Sequence, residues 1–227
     1  MLLIPIPASG KKVQMESMYL GPEFSDDEIK ACLNDNEFNV RKLSDTENKV
    51  DAAVNAIKNN KVVGWFQGRM EHGPRALCHR SIMYHCNDKS VNHWLNERMQ
   101  RTEFMPFAPV TAHELADKCY KNWKPEHIAT YYMTVTYDCY DEMIKNCPAA
   151  VHIDGTARPQ VISEESEPTV HKLLLKWHKE TGGMSLINTS FNKHEEPIVC
   201  VPNDAIEALR ENMVDVLIIG AFEVTRK

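Results

Sequence analysis

Apolar residues recur at helical spacing in several segments of the chain. A capping box at 25–28 predicts a helix that runs to about Leu33. A second helix is predicted over 46–59, because four apolar residues share one of its faces: Val50, Ala53, Val54 and Ile57. The same periodicity, together with proline and glycine at the expected ends, predicts further helices over 91–98, 168–180 and 203–213.

Short apolar and β-branched runs separate these helices. They predict strands over 61–66, 80–86, 107–111, 129–137, 184–188 and 216–219. The segment 129–137 is included because apolar and threonine residues alternate along it. Since strands and helices are interleaved, the predicted fold class is α/β or α+β with a mixed sheet.

Composition and charge narrow the class of protein. The chain has 227 residues and a formal net charge of −6, which argues against strong non-specific binding of nucleic acid. Its seven cysteines include no CxxC pair, as expected for reduced thiols in a cytoplasmic protein. No apolar run approaches the roughly 20 residues that span a membrane. We expect residues 1–22 to be a tail or linker remnant and residues 23–227 to form one domain.

The segment GRMEHGPRAL, residues 68–77, follows a predicted strand. Its glycines and proline favour a tight turn, and Arg69, Arg75 and Arg80 lie within twelve residues. Arginine suits phosphate because its planar guanidinium donates two parallel hydrogen bonds. The segment is therefore a candidate anion-binding loop. A surface loop with solvated arginines is the alternative.

Three further stretches carry candidate ligand-binding residues. Arg98 and Arg101 are three residues apart before PFAP, at 106–109, and could share one helix face. DGTARPQ, at 154–160, places small residues beside Arg158, and NTSFN, at 188–192, follows a predicted strand. Each also has a structural interpretation: a helix end, a hairpin turn, and an Asx or ST turn.

Taken in order, GRMExGPRAL, PFAP, DGTARPQ, NTSFN and EEPIV resemble the C-terminal domain of the O-carbamoyltransferase family, which includes nodulation and antibiotic carbamoyltransferases. The resemblance covers nearly the whole chain. It implies a YrdC-like fold, a twisted mixed sheet with surrounding helices. It also implies that carbamoyl phosphate and ATP with Mg²⁺ form carbamoyl adenylate, whose carbamoyl group an N-terminal metal-binding domain, missing or separate here, moves to an acceptor hydroxyl. No protein-bound metal is implied in this domain.

By the same resemblance, Arg75 and Arg158 would clamp phosphates as the catalytic pair. The substrate- and nucleotide-binding residues would be Arg69, Arg101, Asn188 and Ser190. Two alternatives stay open: a nucleotide- or RNA-binding module without turnover, and a docking subunit for a catalytic partner. The acceptor substrate does not follow from the sequence.

The chain departs from the family pattern at several positions. The pattern before PFAP is Lys-x-Arg-Glu-x-Phe-Arg, and the two outer basic positions are Met99 and Met105 here. Arg98 is a candidate replacement for the lysine, although one residue turns a helical side chain by about 100°. Cys78 stands at a usual glycine, and His194-Glu195 stands at the usual Arg-Gly. Because the surrounding motifs are intact, we interpret the changes as those of a subfamily with altered substrate contacts. A weakened catalyst is the alternative.

Overall fold

The computed structural model describes residues 17–101 and 106–227. The helices there are α1 (Asp26–Cys32), α2 (Thr46–Lys58), α3 (Val91–Arg98), α4 (His113–Cys119), α5 (Asp141–Asn146), α6 (Pro168–Thr181) and α7 (Pro202–Arg210). The strands are β1 (Phe38–Lys42), β2 (Val63–Phe66), β3 (Arg80–His85), β4 (Ala108–Ala112), β5 (Tyr137–Asp138), β6 (Thr156–Ala157), β7 (Gln160–Ile162), β8 (Ser185–Ser190), β9 (Val216–Ile219) and β10 (Phe222–Arg226).

Eight of these strands form one mixed sheet in the order β1-β10-β9-β2-β3-β8-β4-β7. The pairs β2–β9 and β4–β7 are parallel, and the other neighbours are antiparallel. Strands β2, β3 and β9 are buried along their whole length, as expected for central strands covered on both faces. The predicted mixed α/β architecture is confirmed.

The helices begin and end where the sequence signals lie. Ser25 caps α1 in a complete capping box, and Gly182, with a φ of 75°, ends α6 in the left-handed conformation that glycine adopts readily. Helices α2 and α6 pack on each other over the central strands. None of the helices within 17–101 and 106–227 is long and apolar enough to cross a membrane.

The strand predicted over 129–137 is wrong. Ile128–Tyr132 is a 3₁₀ helix, Met133 follows in the left-handed conformation, and only Tyr137 enters a strand. The hydroxyl of Thr130 donates to the His127 carbonyl at 2.7 Å, and that of Thr134 donates to the Ala129 carbonyl at 2.9 Å. These local bonds favour a turn over an extended ladder, which the alternation of threonines does not reveal.

Besides the 3₁₀ helix, six of the described elements had no prediction: β1, β6, β7, β10, α4 and α5. Strand β1 lies at one edge of the sheet and pairs antiparallel with β10, and α4 and α5 are helices of only seven and six residues. Such short segments carry little periodicity, and their stability comes from packing on the sheet.

Candidate active site

The sheet topology brings the motifs to one end of the molecule. The carboxyl end of β8, which carries Asn188 and Ser190, lies beside the amino ends of β3 and β4, where Ser190 pairs with Ser81 and Asn188 with Ala108. The loop that precedes β3 carries Arg75, and the chain that precedes β4 carries Arg101. Three motifs separated in sequence therefore meet at one edge of the sheet.

A cavity of about 210 Å³ opens at this edge. It brings together five of the six predicted site residues, and Arg69 is the one that does not line it. The Arg69 guanidinium reaches instead toward the Leu20 carbonyl at 3.4 Å. The side chains that line the cavity and enter the account below are Arg75, Arg101, Arg158, Asn188, Ser190 and Asn192.

Arg158 lies between β6 and β7 and points its half-buried side chain at this cavity. Burial lowers the pKa of Arg158, and the positive charge of Arg75 lowers it further. The Nε atom of Arg158 is buried and has no hydrogen-bond partner within residues 17–101 and 106–227. Within the described part of the chain, no carboxylate forms an ion pair with Arg75 or Arg158. The two guanidinium groups therefore present uncompensated positive charge to the cavity.

Arg101 is held in place by the NTSFN segment. Its Nη1 donates to the Thr189 hydroxyl at 3.0 Å, and its Nη2 donates to the carbonyl and the hydroxyl of Ser190, both at 3.2 Å. Burial lowers the pKa of Arg101 to about 10, so the group stays charged at neutral pH. Neutral hydrogen-bond acceptors orient this arginine and leave its charge available to a ligand.

Arg98 does not replace the missing lysine. Helix α3 ends at Arg98, and Gln100, with a φ of 54°, reverses the chain before Arg101. Arg98 therefore turns away and pairs with Asp215 at 2.8 Å, so the proposed shared helix face with Arg101 is wrong. Met99 is fully buried in the core and does not line the cavity. Met105 lies outside the described residues.

Glu71 is a structural residue that sequence reasoning missed. Only 5% of its surface is exposed, and its Oε1 accepts backbone N–H groups from Leu77, His79 and Arg80 at 2.7, 2.7 and 3.0 Å. A carboxylate that accepts three backbone bonds fixes a loop because each buried N–H otherwise lacks a partner. Glu71 thereby shapes the loop that carries Arg75. The sequence shows that Glu71 belongs to the GRMEHGPRAL motif, but it does not show that Glu71 is buried.

Arg80 has a structural role rather than a place in the cavity. Its guanidinium is fully buried over the Phe66 ring, 3.6 Å from the ring centroid, and donates to the carbonyls of Gln67, Gly68 and Pro22. Burial lowers the pKa of Arg80 to about 10. The three arginines of the GRMEHGPRAL region therefore lie in three environments: Arg69 in solvent, Arg75 at the cavity and Arg80 in the core.

His79 links this loop to two other segments. Its Nδ1 donates to the Arg69 carbonyl at 2.6 Å, its Nε2 lies 2.7 Å from Glu167 Oε2, and its ring stacks on Tyr19. Burial lowers the pKa of His79, but Glu167 and the Arg69 carbonyl outweigh burial, so the net pKa is raised. Tyr19 belongs to residues 17–22, which hydrogen-bond to Met70 and His72. The boundary at residue 22 stays a prediction.

Both residues that stand at usual glycines keep a backbone conformation that favours glycine. Cys78 has a φ of 74° and Glu195 a φ of 62°. Cys78 is fully buried and its thiol donates to Gln160 Oε1 at 3.2 Å, whereas Glu195 is exposed at the rim of the cavity. The backbone at both positions thus has a conformation that favours glycine, although the residues are cysteine and glutamate.

Comparison with known proteins agrees with the motifs. Residues 54–226 match the sequence profile of the family described as "Carbamoyltransferase C-terminus". The chain belongs to this family. The predicted resemblance is thereby confirmed.

Two relatives and one solved structure illustrate the similarity. The chain is 27% identical to nodulation protein NolNO of Sinorhizobium fredii, over 96% of this chain and 32% of that protein. It is 29% identical to the 3'-hydroxymethylcephem-O-carbamoyltransferase of Amycolatopsis lactamdurans, over 75% of this chain and 32% of that protein. Full-length HypF has a similar fold, with a TM-score of 0.55 and 18% identity, over 79% of this chain and 26% of that one.

The chain spans about a third to two fifths of the length of the curated relatives that it matches most extensively. Family membership therefore concerns this domain.

Proposed function

We propose that this chain forms carbamoyl adenylate from carbamoyl phosphate and ATP, for transfer of the carbamoyl group to an acceptor hydroxyl by a metal-binding domain. One observation carries the proposal. Arg75, Arg101 and Arg158 meet in one cavity, and none of them is paired with a carboxylate in the described part of the chain. Uncompensated arginines at a concave site are the protein groups that bind phosphate best.

The proposed chemistry needs these charges at two stages. Water first cleaves carbamoyl phosphate to carbamate and inorganic phosphate. A carbamate oxygen then attacks the α-phosphorus of ATP, and the bond to the leaving pyrophosphate breaks. Negative charge grows on the phosphoryl oxygens and on pyrophosphate, so the protein contributes mainly by positioning and neutralisation. Magnesium bound to ATP would share in that neutralisation.

The arginines that line the cavity have different roles in this proposal. Arg75 and Arg158 act as phosphate clamps, since no described residue competes for their guanidinium groups. Arg101 is fixed by Thr189 and Ser190, so it offers a charge whose position does not depend on the ligand. Such preorganisation limits the entropy lost when the ligand binds. Arg69 is left out of the proposal because it does not line the cavity.

Titration calorimetry with the purified chain tests the binding half of this proposal. We expect MgATP to bind, and pyrophosphate to compete with it, because both present phosphates to the same arginines. If neither ligand binds to the folded chain, the cavity is not a nucleotide site. Binding of both without any turnover would instead favour the binding-module alternative.

A further inference from the structure

The amide of Asn188 has a fixed orientation. Its Nδ2 donates to the Ala76 carbonyl at 3.0 Å and to Gln160 Oε1 at 2.6 Å. A backbone carbonyl can only accept, so the nitrogen must face Ala76 and the oxygen must face away from it. Asn188 is 1% exposed, and its Oδ1 has no hydrogen-bond partner among the described residues. The cavity wall thus contains a buried acceptor that lacks a donor.

Asn192 repeats this arrangement four residues later. Its Nδ2 donates to the carbonyls of Lys193 and Glu196, at 2.7 and 2.9 Å, and its Oδ1 is also buried with no partner in the described ranges. Arg158 adds a buried Nε with no acceptor. Nearly all buried polar groups in proteins are paired, so three unpaired atoms around one cavity point to a ligand that supplies their partners.

The polarity of these atoms indicates the ligand group. Two acceptors and one donor match a group that has N–H hydrogens beside an oxygen. At the reacting end of the proposed substrates, the ionised phosphates and the carbonyl oxygen accept hydrogen bonds but donate none. The carbamoyl nitrogen is the one atom there that carries hydrogens. This NH₂ group is unchanged from carbamoyl phosphate through carbamate to the adenylate, so one fixed acceptor serves every step.

We propose, building on the function above, that Asn188 Oδ1 accepts a hydrogen bond from the carbamoyl NH₂ group and that Gln160 is the positioning residue that holds the Asn188 amide in this orientation. Gln160 is 1% exposed and begins β7, where it pairs with Val110 of β4. Its Oε1 accepts both the Asn188 amide and the Cys78 thiol. Gln160 thus joins the DGTARPQ and NTSFN motifs through a single buried oxygen.

This arrangement distinguishes a carbamoyl group from an acyl group of the same size. Acetyl phosphate has a methyl group where carbamoyl phosphate has NH₂, so it would leave the Asn188 oxygen without a donor. A site that hydrogen-bonds a substrate N–H rejects the analogue that lacks it. We expect the chain to bind carbamoyl phosphate at least about tenfold more tightly than acetyl phosphate, the size expected for one unmade buried bond.

The test compares the affinities of both acyl phosphates, and of pyrophosphate, in the wild type, Asn188→Leu and Gln160→Met. Pyrophosphate reports on the arginines and should bind all three proteins alike. The preference for carbamoyl phosphate should disappear in Asn188→Leu and fall several-fold in Gln160→Met. Gln160→Glu keeps an acceptor facing Asn188 and should retain the preference. Gln67→Met is a matched control, because Gln67 donates to the Ile218 and Gly220 carbonyls outside the cavity.

The outcomes separate this inference from the proposed function. Equal binding of the two acyl phosphates by the wild type overturns the inference and leaves the phosphate site intact. A preference that survives in Gln160→Met, but not in Asn188→Leu, overturns the role of Gln160. If the folded wild type binds neither pyrophosphate nor carbamoyl phosphate, the proposed function fails and the inference fails with it. Should Asn188→Leu not fold, the comparison of Gln160→Met with Gln160→Glu decides.

Discussion

Arg158 lies close enough to Arg75 for the second positive charge to lower its pKa beyond the effect of burial. Two neighbouring guanidinium groups repel each other, and the described residues supply no carboxylate to separate them. Proteins keep such pairs where an anion is to be bound, because perturbed charges in a cleft are typical of functional sites. The relationship between these two arginines is the basis of the first prediction.

Replacing Arg158 with alanine should reduce ATP affinity by about two orders of magnitude or more, since charge-assisted bonds to phosphate are lost. The melting temperature should stay nearly unchanged, because Arg158 makes no hydrogen bond or ion pair within the described residues. Calorimetry and thermal melting measure both quantities. Arg69→Ala is the control and should bind ATP normally. An unfolded Arg158→Ala protein would mean that Arg158 is structural.

The raised pKa of His79 predicts how stability depends on pH. A histidine whose pKa is higher in the folded state contributes stability that is complete below its unfolded pKa, about 6.5, and is lost as the pH rises through the folded pKa. Urea unfolding between pH 6 and 8.5 should therefore show a fall in the free energy of unfolding. Glu167→Gln should flatten this fall, because Glu167 is the main group that raises the pKa. Identical profiles for the two proteins would refute the link.

Glu71→Ala should destabilise the protein by roughly 2–4 kcal/mol. The change leaves three backbone N–H groups without an acceptor, and each buried unpaired donor costs about 1–3 kcal/mol before the loop relaxes. Denaturant unfolding measures the loss. A loss below about 1 kcal/mol would show that water reaches these groups and that the loop does not depend on the carboxylate. Glu165→Ala is a suitable control, since Glu165 is exposed.

Glu195→Gly should stabilise the protein by about 1 kcal/mol. Glu195 has a φ of 62°, a conformation that costs a residue with a Cβ about 1–3 kcal/mol, and part of the gain is offset by the greater freedom of glycine in the unfolded chain. Glu195→Ala keeps the Cβ and should gain much less. Denaturant midpoints for the two variants test this comparison. Equal midpoints would mean that the loop carries no strain at this residue.

The sequence predicted those parts of the molecule in which local signals and tertiary structure agree. Local signals predicted the capping box of α1 and the whole of α3. The order of the motifs indicated the residues that meet in the cavity, Arg75, Arg101, Arg158 and Asn188. The prediction failed where a single backbone reversal decides the outcome. The left-handed backbone of Gln100 turns Arg98 and Arg101 in different directions, and that of Met133 interrupts the segment 129–137 that alternation marked as a strand.

Burial is the other property that the sequence did not reveal. Glu71 and Arg80 belong to a segment that the sequence marks as a candidate anion-binding surface, yet both are buried and bonded to backbone groups. Gln160 looks like the end of a turn, yet its side-chain oxygen joins two motifs. Each of these roles depends on contacts between segments far apart in the chain, and no local pattern encodes such contacts.

Pyrophosphate release from MgATP by the purified chain, with and without carbamoyl phosphate, is the most direct test of the proposed function. We predict release that depends on carbamoyl phosphate, that persists in Arg69→Ala and that is lost in Arg158→Ala. If the chain binds ATP but releases no pyrophosphate when carbamoyl phosphate is present, adenylation does not take place on this domain alone, and the central proposal is contradicted.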